Sequence, residues 1–594
     1  MGLALTKLAQ TEKRSGGAII SRMLATESVE KVFGIIDGTY QGLVASLGDH
    51  GIDLVGPRHE TCAVHMAGAY ARVTGKVGVC IASNGPGVAN ALSGVAVEEV
   101  EGNRVLLITS CRRQGIVYPD RGGTFQAFDQ VGVIGKMSKW SCAVPSVDRL
   151  PELLRRAFRE CFTGRPGVVH IDVPESVMNT AVVVEDSWFR EPAQYRQLEP
   201  LSPSTSQVAR ALDMLAKAKR PMIHAGSGVV HAEAFEELRQ IAELVHMPVT
   251  TSWGARAVID ERHELSVAMP YVDAMQKTRV ESDCVLVLGS RLGETDFWGK
   301  APYWATPDAQ QLIQVDIDME PLGNNRPVDL VVQADVKEFL RQLVAIARAR
   351  NTGVTDARKK WVKSLQKACA ARRKKLDKHL EKNSLPMHPA HIAPAVDAVA
   401  EDDAIWVVDG GNTSIWTHFY HQVKAPNTVL GTPKMGMLGA GIPQAIAAKA
   451  AHPDKQVFCL IGDGAMGFHQ QEVETAVRSG LQVIWIVFCD RQWGMVKMTQ
   501  QIALKPLKTV VKKTLSPEET INTELDEIEF DQLARAMGAH GERVADAQGL
   551  PGAIERSLAS GKPAVIHVDV DRVAHLWAPN LKTFKDMHAE PAGK

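Results

Sequence analysis

Asp463 stands between two glycines, in Gly462-Asp463-Gly464, and a second aspartate, Asp490, follows 27 positions later. Two carboxylates spaced by one strand, helix and strand suit a divalent cation, and the flanking glycines let the backbone approach an anion closely. Magnesium in particular binds through one or two carboxylates and shares its other positions with phosphate oxygens. The pair therefore predicts an anchor for a metal-bridged diphosphate. A bare Gly-Asp-Gly is equally at home in an ordinary turn, so the elements around it must decide.

Those elements are two apolar runs. Gln456-Val457-Phe458-Cys459-Leu460-Ile461 stops at the glycine pair, and residues 481–488 stop just before Asp490; both read as buried parallel strands. Residues 470–480 between them have helical character. A crossover of this kind brings the carboxyl ends of both strands to one edge of the sheet, so Asp463 and Asp490 are expected to converge.

The amino-terminal third has the same grammar. A strand over residues 31–36 ends in Asp37-Gly38-Thr39, and a second over 52–56 is followed by Arg58-His59-Glu60. Ala63, Met66, Ala67, Tyr70 and Ala71 then form a helix face of mostly small residues for close packing. A third strand, Gly78-Val79-Cys80-Ile81-Ala82, is broken by Asn84-Gly85-Pro86-Gly87.

With 594 residues, 45% of them apolar and 23% charged, the chain has room for three ordinary globular domains at roughly 150–200 residues each. The expected fold class is α/β, with three doubly wound parallel-sheet domains over residues 16–185, 200–345 and 386–572. The middle domain shows candidate strands at residues 221–226, 248–251, 284–289 and 312–317. Residues 346–385 hold a Lys- and Arg-rich stretch that reads as a solvated linker helix. The tail, 573–594, carries Trp577, Pro579 and Pro591 and is expected either to close over a site as a lid or to pack on a surface.

A net charge of −1 gives no support for a nucleic-acid partner, and no apolar run reaches membrane-spanning length. Nine cysteines without a C-x-x-C pair look like buried thiols of a reducing compartment. There is no secretory apolar segment near Met1, so a cytoplasmic location is expected. Met1-Gly2 with Thr6 fits a myristoylation pattern, which is read as chance because no second membrane signal accompanies it.

The run from Arg58 to Gly75, Asn84-Gly85-Pro86-Gly87, and Gly462-Asp463-Gly464 with its downstream metal position together resemble the thiamine diphosphate enzymes of the acetolactate synthase, pyruvate decarboxylase and benzaldehyde lyase superfamily. The resemblance covers almost the whole chain. It implies pyrimidine-binding, central and diphosphate-binding domains, in that order, with thiamine diphosphate and Mg²⁺ as cofactors. FAD in the central domain is a family variant without support here, since no Gly-x-Gly-x-x-Gly follows a strand there.

Residue by residue, the resemblance implies that Glu60 hydrogen-bonds a ring nitrogen of the aminopyrimidine and promotes its imino tautomer, the base that deprotonates thiazolium C2. Asp463, Asp490 and the carbonyl of Gln492 match the metal ligands. The family has asparagine where Asp490 stands, so this chain adds a negative charge beside the diphosphate. Leu438 matches the apolar wedge under the bent cofactor, and Gly436 the glycine whose carbonyl accepts from the aminopyrimidine. Asn412 and Thr413 match the first diphosphate loop; Gly462, Gly464, Ala465 and Asn84 complete the cofactor contacts. Thr39 and Gln126 are the expected polar contacts to substrate, with Met495 on the apolar wall.

Active sites at the interface of a homodimer or homotetramer are also implied. The expected reaction makes or breaks a C–C bond next to the carbonyl of a small molecule through a C2 ylid, as a 2-keto acid decarboxylase, acyloin lyase or carboligase. Phe125-Gln126 matches the acetolactate synthase pair and argues against an oxalyl-coenzyme A decarboxylase. Thr295 and Thr499 stand where true acetolactate synthases carry the arginine and tryptophan that fit a second keto acid. The alternatives are acetolactate synthase proper, a flavin-containing pyruvate oxidase-like enzyme, a 2-hydroxyacyl-CoA lyase, and a catalytically silent scaffold of the same fold.

Overall fold

The structure, a computed structural model, describes residues 13–581 and 586. Met1, Gly2, Thr6 and Pro591 lie outside the described residues. The chain divides into two compact units. One comprises the residues up to Ala71 together with Lys76–Glu199; the other comprises Arg72–Gly75 and the chain from Pro200 onward.

The first unit is built on a six-stranded sheet. Its order is Asp53–Val55, Lys31–Gly34, Gly78–Ala82, Val105–Cys111, Val168–Pro174, Trp140–Ala143, and every pairing is parallel. Gly78–Ala82, Val105–Cys111 and Val168–Pro174 are buried at every position. That is the signature of strands covered by helices on both faces, and it explains why they read as continuous rather than alternating apolar runs. A short antiparallel pair, Lys13–Ser15 with Ala181–Val183, closes the unit.

The second unit contains two further parallel sheets. Its five-stranded sheet runs Val249–Thr251, Pro221–Ala225, Cys284–Leu288, Gln311–Asp316, Leu330–Gln333. Alternate residues of these strands enter two separate apolar clusters: Ile223, Leu286 and Ile313 one, Met222, Val285, Val287 and Leu312 the other. This is the period of two expected of strands packed on both faces.

The six-stranded sheet runs Val429–Leu430, Ile405–Val408, Val457–Gly462, Ile484–Cys489, Ala564–Asp569, His540–Val544, again all parallel. The fold is thus α/β with three doubly wound parallel sheets, as the strand runs in the sequence imply.

Numbered along the chain, the strands of both six-stranded sheets lie in the order second, first, third, fourth, sixth, fifth. The crossovers diverge between the first and third strands, and ligands of open α/β sheets bind in the crevice outside the carboxyl ends at such a point. Thr39 and Asn84 follow the two strands flanking it in the first unit; Asn412 and Asp463 follow the corresponding strands in the third sheet.

Two elements differ from the sequence reading. The segment after Ile461 is not a turn with one later helix: a helix starts at Asp463 itself and ends at His469, and a second spans Glu472–Arg478. Nor is the basic stretch a solvated linker. Its helix, Asp356–Asp377, buries Trp361, Leu365 and Cys369 against the five-stranded sheet's core. Arg358, 1% exposed, donates to the carbonyls of Val245, Leu215, Ala216 and Ala218, which close the helices Phe235–Val245 and Thr205–Lys217. A guanidinium with five donors can satisfy several terminal carbonyls at once, which composition counts only as charge.

Candidate active site

The third sheet's crevice gathers nine of the predicted residues: Asn412, Thr413, Gly462, Asp463, Gly464, Ala465, Asp490, Gln492 and Met495. Asn412 and Thr413 open the helix Asn412–Tyr420, which is buried along almost its whole length. Asn412 is 4% exposed, and among the described residues neither its amide oxygen nor its amide nitrogen has a hydrogen-bond partner. A buried amide left entirely unpaired costs about 1–3 kcal/mol per group, so the position is shaped for a partner that brings both an acceptor and a donor or cation. The backbone N–H groups of that helix start add an anion-binding field at the same place.

Asp463 lies across the crevice. Its Oδ1 accepts from the backbone N–H of Gly464 at 2.7 Å and its Oδ2 from that of Arg491 at 2.6 Å, tying the ends of the strands Val457–Gly462 and Ile484–Cys489 together. Burial, and then the charge of Asp490 beside it, push its carboxyl up to about 7. Two neighbouring carboxylates, one buried and one half-buried, repel one another until a cation joins them.

The backbone around them leaves room for a ligand and little else. A Cβ on Gly464 would come within 2.6 Å of the Trp493 ring, and one on Gly494 within 2.8 Å of the Asn412 amide nitrogen. Met495 stands beside Gly411, where an added Cβ would meet it at 3.2 Å. Ala465, in the helix that starts at Asp463, is 3% exposed. The Gln492 side chain donates to Asp490 Oδ2 at 2.9 Å, and its carbonyl accepts from Gly494 at 2.9 Å, which leaves that oxygen a second lone pair.

Gly436 and Leu438 sit on the loop between Val429–Leu430 and the helix Gly441–Ala451. Gly436 has φ +65°, a left-handed turn that glycine adopts without strain. Leu438 is partly exposed. The loop packs on the Asp463 helix, because a Cβ on Gly439 would lie 2.5 Å from Phe468.

In the first unit, Thr39, Asn84 and Gln126 form one hydrogen-bonded group. Thr39 Oγ1 lies 2.6 Å from Ser110 Oγ, which accepts from the Asn84 backbone N–H at 3.1 Å, while Asn84 Nδ2 donates to the Gln126 carbonyl at 3.1 Å. Gln126 holds φ +55°, unusual for a residue with a side chain, and Phe125 next to it is 73% exposed. Buried Gln130 supports the turn from beneath, accepting from the Gly85 N–H at 2.8 Å and donating to the Ser110 carbonyl and to Asp172. Glu60 begins the helix Glu60–Thr74, and its Oε2 accepts from Asn90 Nδ2 at 3.1 Å.

Ser110, Gln130 and Asn90 were not among the residues singled out from the sequence, and nothing short-range marks them. His575 was also missed. It belongs to the helix Arg572–Leu576, at the start of the segment set aside as a tail, and its Nδ1 lies 2.6 Å from Asp490 Oδ2. Leu576, Ala578 and Leu581 join the third sheet's apolar core, so the described part of the tail is an integral layer of this domain and not a free lid. The signal available was indirect: a buried extra aspartate requires a donor somewhere.

Thr295 lines a cavity of about 80 Å³ together with Arg279 and Asp296, whose guanidinium and carboxylate lie 3.3 Å apart. Thr499 Oγ1 donates to the Met495 carbonyl one turn back on its own helix. Among the described residues, no helix is long and apolar enough to cross a membrane.

Three family models match in succession: the thiamine pyrophosphate enzyme N-terminal TPP binding domain over residues 14–133, the central domain over 208–343, and the C-terminal TPP binding domain over 409–568. Whole-chain relatives agree. A probable acetolactate synthase large subunit of Methanococcus aeolicus is 28% identical over 578 residues, covering 94% of this chain and 92% of that protein. The acetolactate synthase large subunit of Corynebacterium glutamicum is 29% identical over 582 residues, covering 96% and 89%. The acetolactate synthase isozyme 3 large subunit of Escherichia coli K12 is 26% identical over 580 residues, covering 96% and 97%.

Proposed function

This chain belongs to the thiamine pyrophosphate-dependent enzymes, acetolactate synthase-like in its domains, and we propose that it uses Mg²⁺ with that cofactor to make or break a C–C bond next to a carbonyl. It is an enzyme of carboligation or decarboxylation type. When bound, the cofactor supplies a nucleophilic carbon that adds to a carbonyl and takes up electrons as a neighbouring bond breaks.

The chain's own residues do the rest. Asp463 and Asp490, with the Gln492 carbonyl, would hold the metal; Asn412, Thr413 and the Gly462-Asp463-Gly464 backbone would hold the diphosphate. Glu60 would hold a proton at the ring nitrogen of the aminopyrimidine, and Leu438 would set the cofactor's bend. Thr39 and Gln126 would orient the substrate carbonyl, Met495 giving an apolar wall. The observation that carries this reading is the amide of buried Asn412, without a partner among the described residues, in a crevice with two carboxylates, buried Asp490 and half-buried Asp463, the latter with a raised pKa.

A second reading, acetolactate synthase itself, is favoured by the names of the relatives. Against a second keto acid as acceptor stand Thr295 and Thr499, and the pairing of Arg279, the cation lining the cavity beside Thr295, with Asp296. A buried carboxylate without a free cation is costly. Assembly as a homodimer or homotetramer in the cytoplasm belongs to the same proposal, the relatives being large subunits of that enzyme.

The deciding assay incubates the protein with thiamine diphosphate and Mg²⁺ against 2-keto acids, acyloins and 2-hydroxyacyl thioesters, following aldehyde, CO₂ and acetolactate. Turnover of an acyloin or a single keto acid supports the first reading, and acetolactate from pyruvate the second. Glu60→Gln is expected to slow either about a hundredfold or more, the scale of a lost proton-transfer group. Unchanged turnover in that variant would contradict both.

A further inference from the structure

Asp490 departs from the family's asparagine, and the structure shows what accompanies the change. Asp490 is 2% exposed, and both of its hydrogen bonds fall on Oδ2: Gln492 Nε2 at 2.9 Å and His575 Nδ1 at 2.6 Å. Oδ1 has no hydrogen-bond partner among the described residues. The other ring nitrogen of His575, Nε2, lies 3.2 Å from Thr413 Oγ1. One imidazole therefore spans from the second carboxylate of the crevice to the first turn of the helix that starts at Asn412.

The ring is itself fixed. His575 is 4% exposed, its carbonyl accepts from Trp416 Nε1 at 3.0 Å, and its helix is capped by Asp571, whose Oδ1 accepts from Val573 and Ala574 at 3.0 Å each. Trp416 lies on the same helix as Thr413. The segment is thus fastened to that helix at two points, through the ring of His575 and through its backbone.

We propose that His575 is the positioning residue that lets an aspartate serve in the metal position of this chain. An asparagine brings no charge and needs no such donor. An aspartate adds a buried negative charge beside half-buried Asp463, and a carboxylate so placed must be hydrogen-bonded or paired. His575 Nδ1–H and the Gln492 amide supply two donors to one oxygen and turn the other away from them. Partners of this kind orient a ligating carboxylate, and their loss lowers metal affinity about 10- to 100-fold. Through Thr413 the same ring ties the segment around residues 571–578 to the loading of the crevice. The proposal rests on the reading that this crevice holds a metal-bridged diphosphate.

A double-mutant cycle on the full-length protein tests it, with Mg²⁺ titrated calorimetrically in the presence of thiamine diphosphate. His575→Ala is expected to weaken apparent Mg²⁺ affinity about tenfold or more. Asp490→Asn with His575→Ala is expected to bind within about threefold of Asp490→Asn alone, because the amide no longer needs the imidazole. His575→Asn, which keeps a donor, should recover part of the loss. Wild-type affinity in His575→Ala, or a loss in the double variant as large as in the single one, would overturn the proposal. Should His575→Ala fail to fold, recovery of folded, Mg²⁺-binding protein in the double variant supports it, and failure of that recovery overturns it. Absence of Mg²⁺-dependent binding by the wild type would instead sink the underlying cofactor reading, and this inference with it.

Discussion

At the crevice of the first sheet, Thr39, Ser110, Asn84 and Gln130 bond to one another; at the equivalent crevice of the third sheet, the Asn412 amide has no partner among the described residues. Both sheets have the same strand order, and both place residues of these groups, Thr39 and Asn84 in one and Asn412 and Asp463 in the other, after their first and third strands. Topology selects where a site forms, and the hydrogen-bond inventory tells what kind. The first crevice is a finished polar surface that can present Glu60 and the hydroxyl of Thr39. The third is unfinished without a ligand: a buried carboxylate beside a half-buried one raised to about 7, and an amide unpaired among the described residues. Stability without ligand should therefore live in the first crevice, and ligand affinity in the third.

That contrast can be pressed at its extremes. His170, buried in the first sheet between Thr109 and Ser141, is held down to about 3 by burial. A depressed base contributes stability that is fully present above its unfolded value near 6.5 and is lost as pH falls through the folded value. Between those limits the loss should be on the order of 5 kcal/mol. Thermal unfolding between pH 4 and 7 should show this slope in the wild type and a flatter one in His170→Gln; equal slopes would remove the assignment.

Asp463→Asn should weaken thiamine diphosphate binding in the presence of Mg²⁺ by about a hundredfold, the scale of one lost charged ligand. The unliganded variant should unfold close to the wild type at pH 8, because relief of a carboxylate that burial disfavours offsets the loss of one acceptor for the Gly464 or Arg491 N–H. A lower melting temperature with intact binding would reverse the roles given to the two crevices.

The finest contrast sets two asparagines side by side. Asn84→Ala removes an amide that is bonded, and should cost about 1–2 kcal/mol of unliganded stability by chemical denaturation. Asn412→Ala removes one without a partner among the described residues, and should leave that stability unchanged or raise it by about 1–3 kcal/mol while weakening cofactor binding. Similar costs in the unliganded protein would mean that the third crevice is already satisfied.

Much of this was legible in the amino-acid order, for physical reasons that differ by element. Strands such as Ile484–Cys489 are buried at every position, so they advertise themselves as unbroken apolar runs. Glycines at Gly462 and Gly464 mark a close approach because any side chain there meets a wall. What escaped was long-range pairing. Asp490 and His575 lie 85 positions apart, and no local pattern announces that an imidazole from the helix Arg572–Leu576 completes a site begun at the end of a strand. Arg358 escaped for the opposite reason: its neighbours in sequence are solvated, and only the helix ends it caps, more than 100 positions away, reveal its role. The charge of a basic stretch says where water can be, not which one of its residues is buried.

The most direct measurement is calorimetric titration of thiamine diphosphate into the full-length protein, with Mg²⁺ and again with a chelator. The account predicts saturable binding that needs Mg²⁺ and is lost in Asp463→Asn. No heat on titration, or binding indifferent to both the metal and that substitution, would contradict it.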